Sequence, residues 1–244
     1  MTAVLCVGMP HMGAGFCMTN LASAAEGHPG VRPVDASVQP AFAPDEDPHF
    51  PGLVDVGAKL PTAVVDLKYR STDNFMKRNV YGGLRRCFLV EQAALMLERA
   101  QRLLEQRAPH LTFVLWDCAR PRRVQKIMWE AVKGTPSQHY VANPYTRTGS
   151  IHNYGCAVDL GLYDRQQGTV VDMGTPYDYF GRLAEPRHEI SFWKEGTLSS
   201  EQWSNRLLLR EVMLRSGFLM IPNEWWHFNC APNDVVRRTY SVIE

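Results

Sequence analysis

From Gly155 to Leu162 the chain reads Gly-Cys-Ala-Val-Asp-Leu-Gly-Leu, the stretch that most narrows what it can fold into. Alternation of this kind marks a β-strand, because successive side chains point to opposite faces of a sheet. Cys156, Val158, Leu160 and Leu162 share one face, which leaves Ala157, Asp159 and Gly161 on the other. His152 stands seven residues before Asp159, and Gly155 lets the chain turn between them, so the two side chains converge on one point. Zinc accepts imidazole nitrogen and carboxylate oxygen, and a catalytic site needs only three protein ligands with a fourth position left for water. Glu224-x-x-His227 supplies a third ligand in His227 and a base in Glu224, provided the chain bends there, and Pro222-Asn223 makes a turn plausible. Either segment alone reads as satisfied structural histidines and a turn aspartate. The combination points to a metal.

The flanking segments predict a mixed α+β domain. Thr62 to Leu67 has strand character and is followed by a polar turn at Ser71 to Asn74. Phe88 to Arg107 predicts an amphipathic helix, with Leu89, Ala93, Leu97, Ala100 and Leu104 at near-helical spacing. Thr112 to Trp116 is a further apolar strand. Pro121 then stands where a first helical turn tolerates it, ahead of a stripe of Val124, Ile127, Met128 and Ala131. Ser199-x-x-Gln202 predicts a capping box for a helix through Leu214, with Gly217 as its stop. The order of these elements is not that of a doubly wound parallel sheet. With no internal repeat, residues 53–244 are expected to form one domain.

Charge and composition exclude two classes. Lys and Arg total 26 against 25 for Asp and Glu, a net charge of +1, so nothing in the balance serves to grip a nucleic-acid backbone. No run reaches the roughly 18 to 20 apolar residues of a membrane-spanning helix. Residues 1–25 are mostly apolar and carry a small-residue site at Ala22-Ser23-Ala24, but no Lys or Arg precedes it, and Pro10 and His11 interrupt the run. They read as a degenerate export signal or a disordered leader. Residues 26–52 hold six of the 16 prolines and read as a linker that cannot fold alone, so the folded unit is expected to begin near Leu53. His11, His28 and His49 fall in these two segments and are given no role. No C-x-x-C pair occurs. Beyond the leader, Cys87, Cys118, Cys156 and Cys230 allow three disulfide pairings or none, and Cys156, alternating with apolar residues, is expected as a buried free thiol.

Together these motifs resemble the zinc-dependent D-alanyl-D-alanine dipeptidases of vancomycin resistance and peptidoglycan recycling. Ser150-x-His152-x-x-Gly155-x-Ala157-x-Asp159 and Glu224-Trp225-Trp226-His227 look like that family's two metal-site signatures. Asp66-Leu67-Lys68-Tyr69 with Ser71 to Phe75 resembles its early strand and turn, Leu115 to Pro121 its arginine segment, and Asp172 to Asp178 its substrate loop. The resemblance runs from about Leu53 to Cys230.

It implies a single compact α+β domain with a small, mostly antiparallel sheet flanked by helices, LAS/Hedgehog-like, with one zinc ion per chain on the sheet. His152, Asp159 and His227 would be the zinc ligands, Glu224 the general base, and Arg120 the electrophilic partner of the developing oxyanion. Asp178 would pair with the substrate's ammonium group, and Ser150 would either bond the ligand or shape the turn. Tyr154, Trp225 and Trp226 read as wall or core residues. The implied partner is a small D,D-dipeptide, with no nucleic acid and no membrane span. The alternatives are a D,D-carboxypeptidase or endopeptidase on longer wall peptides, and a non-catalytic zinc-binding module. This chain departs from the family at Lys68, usually Arg, at Arg70, usually small, and at Ala119, commonly aromatic, which leaves the preferred dipeptide open. Oligomeric state stays open as well. So does location, exported if the leader is a signal and otherwise cytoplasmic.

Overall fold

The computed structural model describes residues 28, 30–146 and 149–244, so the leader expected over 1–25 lies outside the described residues. In chain order the elements are β1 (Leu53–Asp55), α1 (Val56–Lys59), β2 (Val64–Val65), β3 (Phe88–Val90), α2 (Glu91–Arg107), β4 (Leu111–Asp117) and α3 (Arg122–Val132). There follow β5 (Ala157–Asp164), β6 (Thr169–Val170), α4 (Glu189–Lys194), α5 (Ser200–Arg215), β7 (Leu219–Met220), β8 (His227–Asn229) and α6 (Asn233–Thr239). The main sheet has the order β2-β4-β5-β8-β7, with β6 also on β5. Its β2–β4 pair is parallel and the others antiparallel, so this is an α+β domain with a mixed sheet. A second, two-stranded sheet pairs β1 with β3. Among the described residues no helix is long and apolar enough to cross a membrane.

The alternating segment becomes β5, the strand between β4 and β8, and its neighbours bury it on both faces. Helix α2 buries Ala93, Leu97, Ala100 and Leu104 completely and packs against β4 and α5. Its first three expected residues differ. Phe88–Val90 form β3, because all three side chains are buried and their backbone pairs with β1, whereas a helix would carry one of them to solvent. The capping box at Ser199 and Gln202 forms, and α5 runs to Arg215.

Two expectations change. Cys156 is not a free thiol: it is bonded to Cys230, with Cα atoms 5.2 Å apart, and Cys87 is bonded to Cys118 at 5.4 Å. Alternation told which side chains of β5 share a face, but not that a second cysteine stands beside Cys156 at the end of the neighbouring strand. The proline-rich stretch is also no free tether. Phe42 and Phe50 are buried, and the Phe50 ring lies 5.2 Å from that of Phe88. Arg78 donates to the carbonyls of Ala36 and Val38 at 2.7 and 2.6 Å. The backbone at Phe42 passes so close over Gly82 that a Cβ there would lie 1.8 Å from the Phe42 carbonyl oxygen. What this stretch lacks in its own core it takes from the body of the domain.

Candidate active site

Strand register brings the polar side chains together. Asp117 of β4 stands opposite Asp159 of β5, which stands opposite His227 of β8. A bulge between Leu115 and Asp117 sets the first of these pairings. His152 enters on a 3-10 turn, Ile151–Tyr154, whose first N–H groups are capped by Ser150 and which ends at Gly155 in the left-handed conformation, φ 66°. That φ is where glycine is favoured, as the turn requires. Before β8 the chain bends at Pro222 and Asn223 and turns at Trp225 and Trp226, which carries Glu224 to within 3.9 Å of His227 Nδ1.

Three donor atoms face one another. His152 Nε2 lies 3.2 Å from Asp159 Oδ1 and 3.1 Å from His227 Nδ1, and His227 Nδ1 lies 2.9 Å from Asp159 Oδ1. Each ring's other nitrogen is committed outward, His152 Nδ1 to the Cys118 carbonyl at 2.7 Å and His227 Nε2 to Asn229 Oδ1 at 2.8 Å. Both outer partners are carbonyl oxygens, so the outer nitrogens carry hydrogens, and a cation at the triangle would meet the lone pairs of the inner nitrogens beside the carboxylate. Such a set suits a cation. Donor bonds of about 2.0 to 2.1 Å in a tetrahedron require donors about 3.3 Å apart, close to the spacing seen. Burial opposes ionisation of Asp159, but the two imidazoles outweigh it and hold the carboxyl well below the usual range. Glu224 goes the other way. Burial lifts it to about 7, with Asp159 adding to the rise and His227 and Arg120 pulling against it.

Arg120 is buried beside this triangle. Its Nε donates to Asp117 Oδ2 at 2.7 Å, Nη2 bonds the same oxygen, and Nη1 donates to Gln125 Oε1 at 2.7 Å. Three of the five guanidinium hydrogens are thereby used, leaving one on each terminal nitrogen. The opposite oxygen of Asp117 accepts from the Tyr81 hydroxyl and from Cys118 N. Asp178 is buried with φ 60°, a strained conformation for a residue with a side chain. Both its oxygens lie 3.0 Å from the Tyr69 hydroxyl. Burial pushes the Asp178 carboxyl well above its ordinary range, and Asp159 adds to the rise. One cavity of about 230 Å³ is lined by Arg120, Ser150, His152, Asp159, Asp178, Glu224 and His227 among others. That is dipeptide scale.

A family model described as D-ala-D-ala dipeptidase matches residues 50–244. The chain belongs to this family. Its relatives include the D-alanyl-D-alanine dipeptidase of Escherichia coli, 32% identical over 176 residues, covering 72% of this chain and 83% of that protein. Those of Enterococcus faecium and Enterococcus faecalis are 29% and 30% identical, each over 67% of this chain and 83% of the relative.

The seven residues given a role from this dipeptidase family's motifs, Arg120, Ser150, His152, Asp159, Asp178, Glu224 and His227, all line this cavity. Ser150 does so while its Oγ accepts from His152 N at 3.3 Å, the turn-shaping option. Lys68, one of the departures, does not line the cavity and pairs with Asp66 and Asp73 at 2.8 and 2.6 Å. Sequence reasoning missed Asp117, Gln125, Tyr69 and Tyr177. Asp117-x-x-Arg120 at the end of a strand was a signal for the first. For the two tyrosines no spacing could have served, because Tyr69 meets a residue 109 positions away.

Proposed function

We propose that this chain is a zinc-dependent D,D-dipeptidase that hydrolyses D-alanyl-D-alanine. The observation that carries the reading is the triangle of His152 Nε2, Asp159 Oδ1 and His227 Nδ1, 2.9 to 3.2 Å apart, beside Glu224 and Arg120 in a dipeptide-sized cavity. Those three side chains would hold the zinc, which when bound supplies Lewis acidity to the scissile carbonyl and to a water. Glu224 takes the proton of that water and returns it to the leaving amine. Arg120, fixed by Asp117 and Gln125, directs its remaining N–H groups at the carbonyl oxygen as negative charge develops there. Asp178 receives the substrate's ammonium group. No ion pair partners Asp178 among the described residues, so an incoming cation supplies the countercharge that its burial calls for. A peptide extended at its amino end would lack that charge at this point, which favours a free dipeptide over longer wall peptides. The antiparallel pairs β4–β5, β5–β8 and β7–β8 that carry the site support the LAS/Hedgehog-like assignment of the sheet.

The test is release of free alanine from D-Ala-D-Ala by purified protein, with metal content measured on the same sample. Chelator-sensitive release at one zinc per chain is expected. A folded, zinc-loaded sample that cleaves a wall pentapeptide but not the dipeptide would replace this reading by a carboxypeptidase. One that cleaves nothing would replace it by a zinc-binding module.

A further inference from the structure

The metal-facing triangle uses only one oxygen of Asp159. While Oδ1 faces the two imidazoles, Oδ2 accepts from the hydroxyl of Tyr177 at 3.0 Å. That hydroxyl lies 3.3 Å from the Tyr69 hydroxyl, which in turn is 3.0 Å from both oxygens of Asp178. Tyr177 has one hydrogen to give, and the ionised Asp159 carboxylate at 3.0 Å is a stronger acceptor than the Tyr69 hydroxyl at 3.3 Å. Each phenol therefore serves its own carboxylate, Tyr177 that of Asp159 and Tyr69 that of Asp178. The Tyr177 ring sits between Trp116 and Trp226, with centroids 5.3 and 5.5 Å away, so packing of the ring places the hydroxyl.

We propose that Tyr177 is the positioning residue for Asp159. Its hydroxyl holds one carboxylate oxygen so that the other stays aimed at His152 and His227. Its contact with Tyr69 sets that carboxylate in fixed relation to the one that receives the ammonium group. The proposal rests on the metal reading given above. Without the phenol, Asp159 can rotate about its last torsion and offers Oδ1 to the metal for only part of the time. Loss of such an outer partner lowers metal affinity by about 10- to 100-fold.

Tyr177→Phe removes one oxygen and keeps the ring. Zinc affinity, measured by competition with a chromophoric chelator, should fall about 10-fold or more, while the melting temperature of the metal-free protein stays near that of the parent. Tyr69→Phe should leave zinc affinity within about twofold and raise KM for D-Ala-D-Ala instead. Parental zinc affinity in Tyr177→Phe overturns the proposal. A loss matched by Tyr69→Phe, or accompanied by a clear fall in the metal-free melting temperature, overturns it as well, since either would mark general damage to the wall. His152→Ala in the same titration tests the premise. If it retains zinc, the metal reading and this proposal both fall. If it loses zinc while Tyr177→Phe does not, only the proposal falls.

Discussion

Glu224 is a carboxyl whose surroundings and task pull in opposite directions. As a base it must be ionised, yet burial lifts it to about 7 in the metal-free protein. A cation at the neighbouring triangle would bring it back down, so metal binding also readies the base. Since the folded value lies above the ordinary 4.5, this group favours the folded metal-free protein below pH 4.5, and that advantage is lost as pH rises through about 7. Glu224→Gln should retain zinc and lose nearly all turnover, measured as alanine release beside metal analysis. The infrared difference between parent and variant, both metal-free, should contain a protonated-carboxyl band that titrates near pH 7 and disappears on zinc loading. An active Glu224→Gln protein would remove the residue from the chemistry. At this scale the convergence of His152, Asp159, Glu224 and His227 on one cavity was legible, because the proposed metal ligation and proton transfer would demand particular side chains at particular spacings. The sequence was silent on Tyr177 and Gln125, whose work is to hold other residues and is visible only in contact.

A strand can dictate its neighbour's composition, as β5 and β4 do. The bulge in β4 places Asp117 opposite Asp159, and the Trp116 ring lies over Gly161. A Cβ on Gly161 would come within 2.4 Å of that ring, which is itself hemmed in by Tyr177 and Trp225 at 5.3 and 5.9 Å. Gly161→Ala should therefore cost about 1 to 3 kcal/mol in urea unfolding, the range expected for overpacking a full core. Unchanged stability would mean that Trp116 yields and the glycine is dispensable. Helical and strand periods explain most of what could be read at this level. Helix α5 was bounded correctly at its start because a capping box is local chemistry, complete within four residues. Phe88–Val90 was misread as helix because three consecutive apolar residues fit either period, and only pairing with β1 settles the matter.

Across the whole molecule, the site is assembled from segments far apart in the chain, and the two disulfides join those same segments. Cys87–Cys118 ties β3 to the stretch carrying Asp117 and Arg120, and Cys156–Cys230 ties the His152 and Asp159 stretch to that of His227. The loops they close span 31 and 74 residues. Neither closure is written in local sequence, which is why the pairing could not be read while the strand it staples could. In a chain-entropy account, loops of this length stabilise the fold by about 4 kcal/mol each. A metal at His152, Asp159 and His227 closes part of the same loop as Cys156–Cys230, so the two constraints overlap and their effects should not add. Calorimetry with and without a phosphine reductant should then show a large fall in melting temperature for the metal-free protein and a smaller one for the zinc-loaded protein. Equal falls would separate the disulfide from the metal centre energetically, and no fall in either would show that the cysteines do not staple the fold.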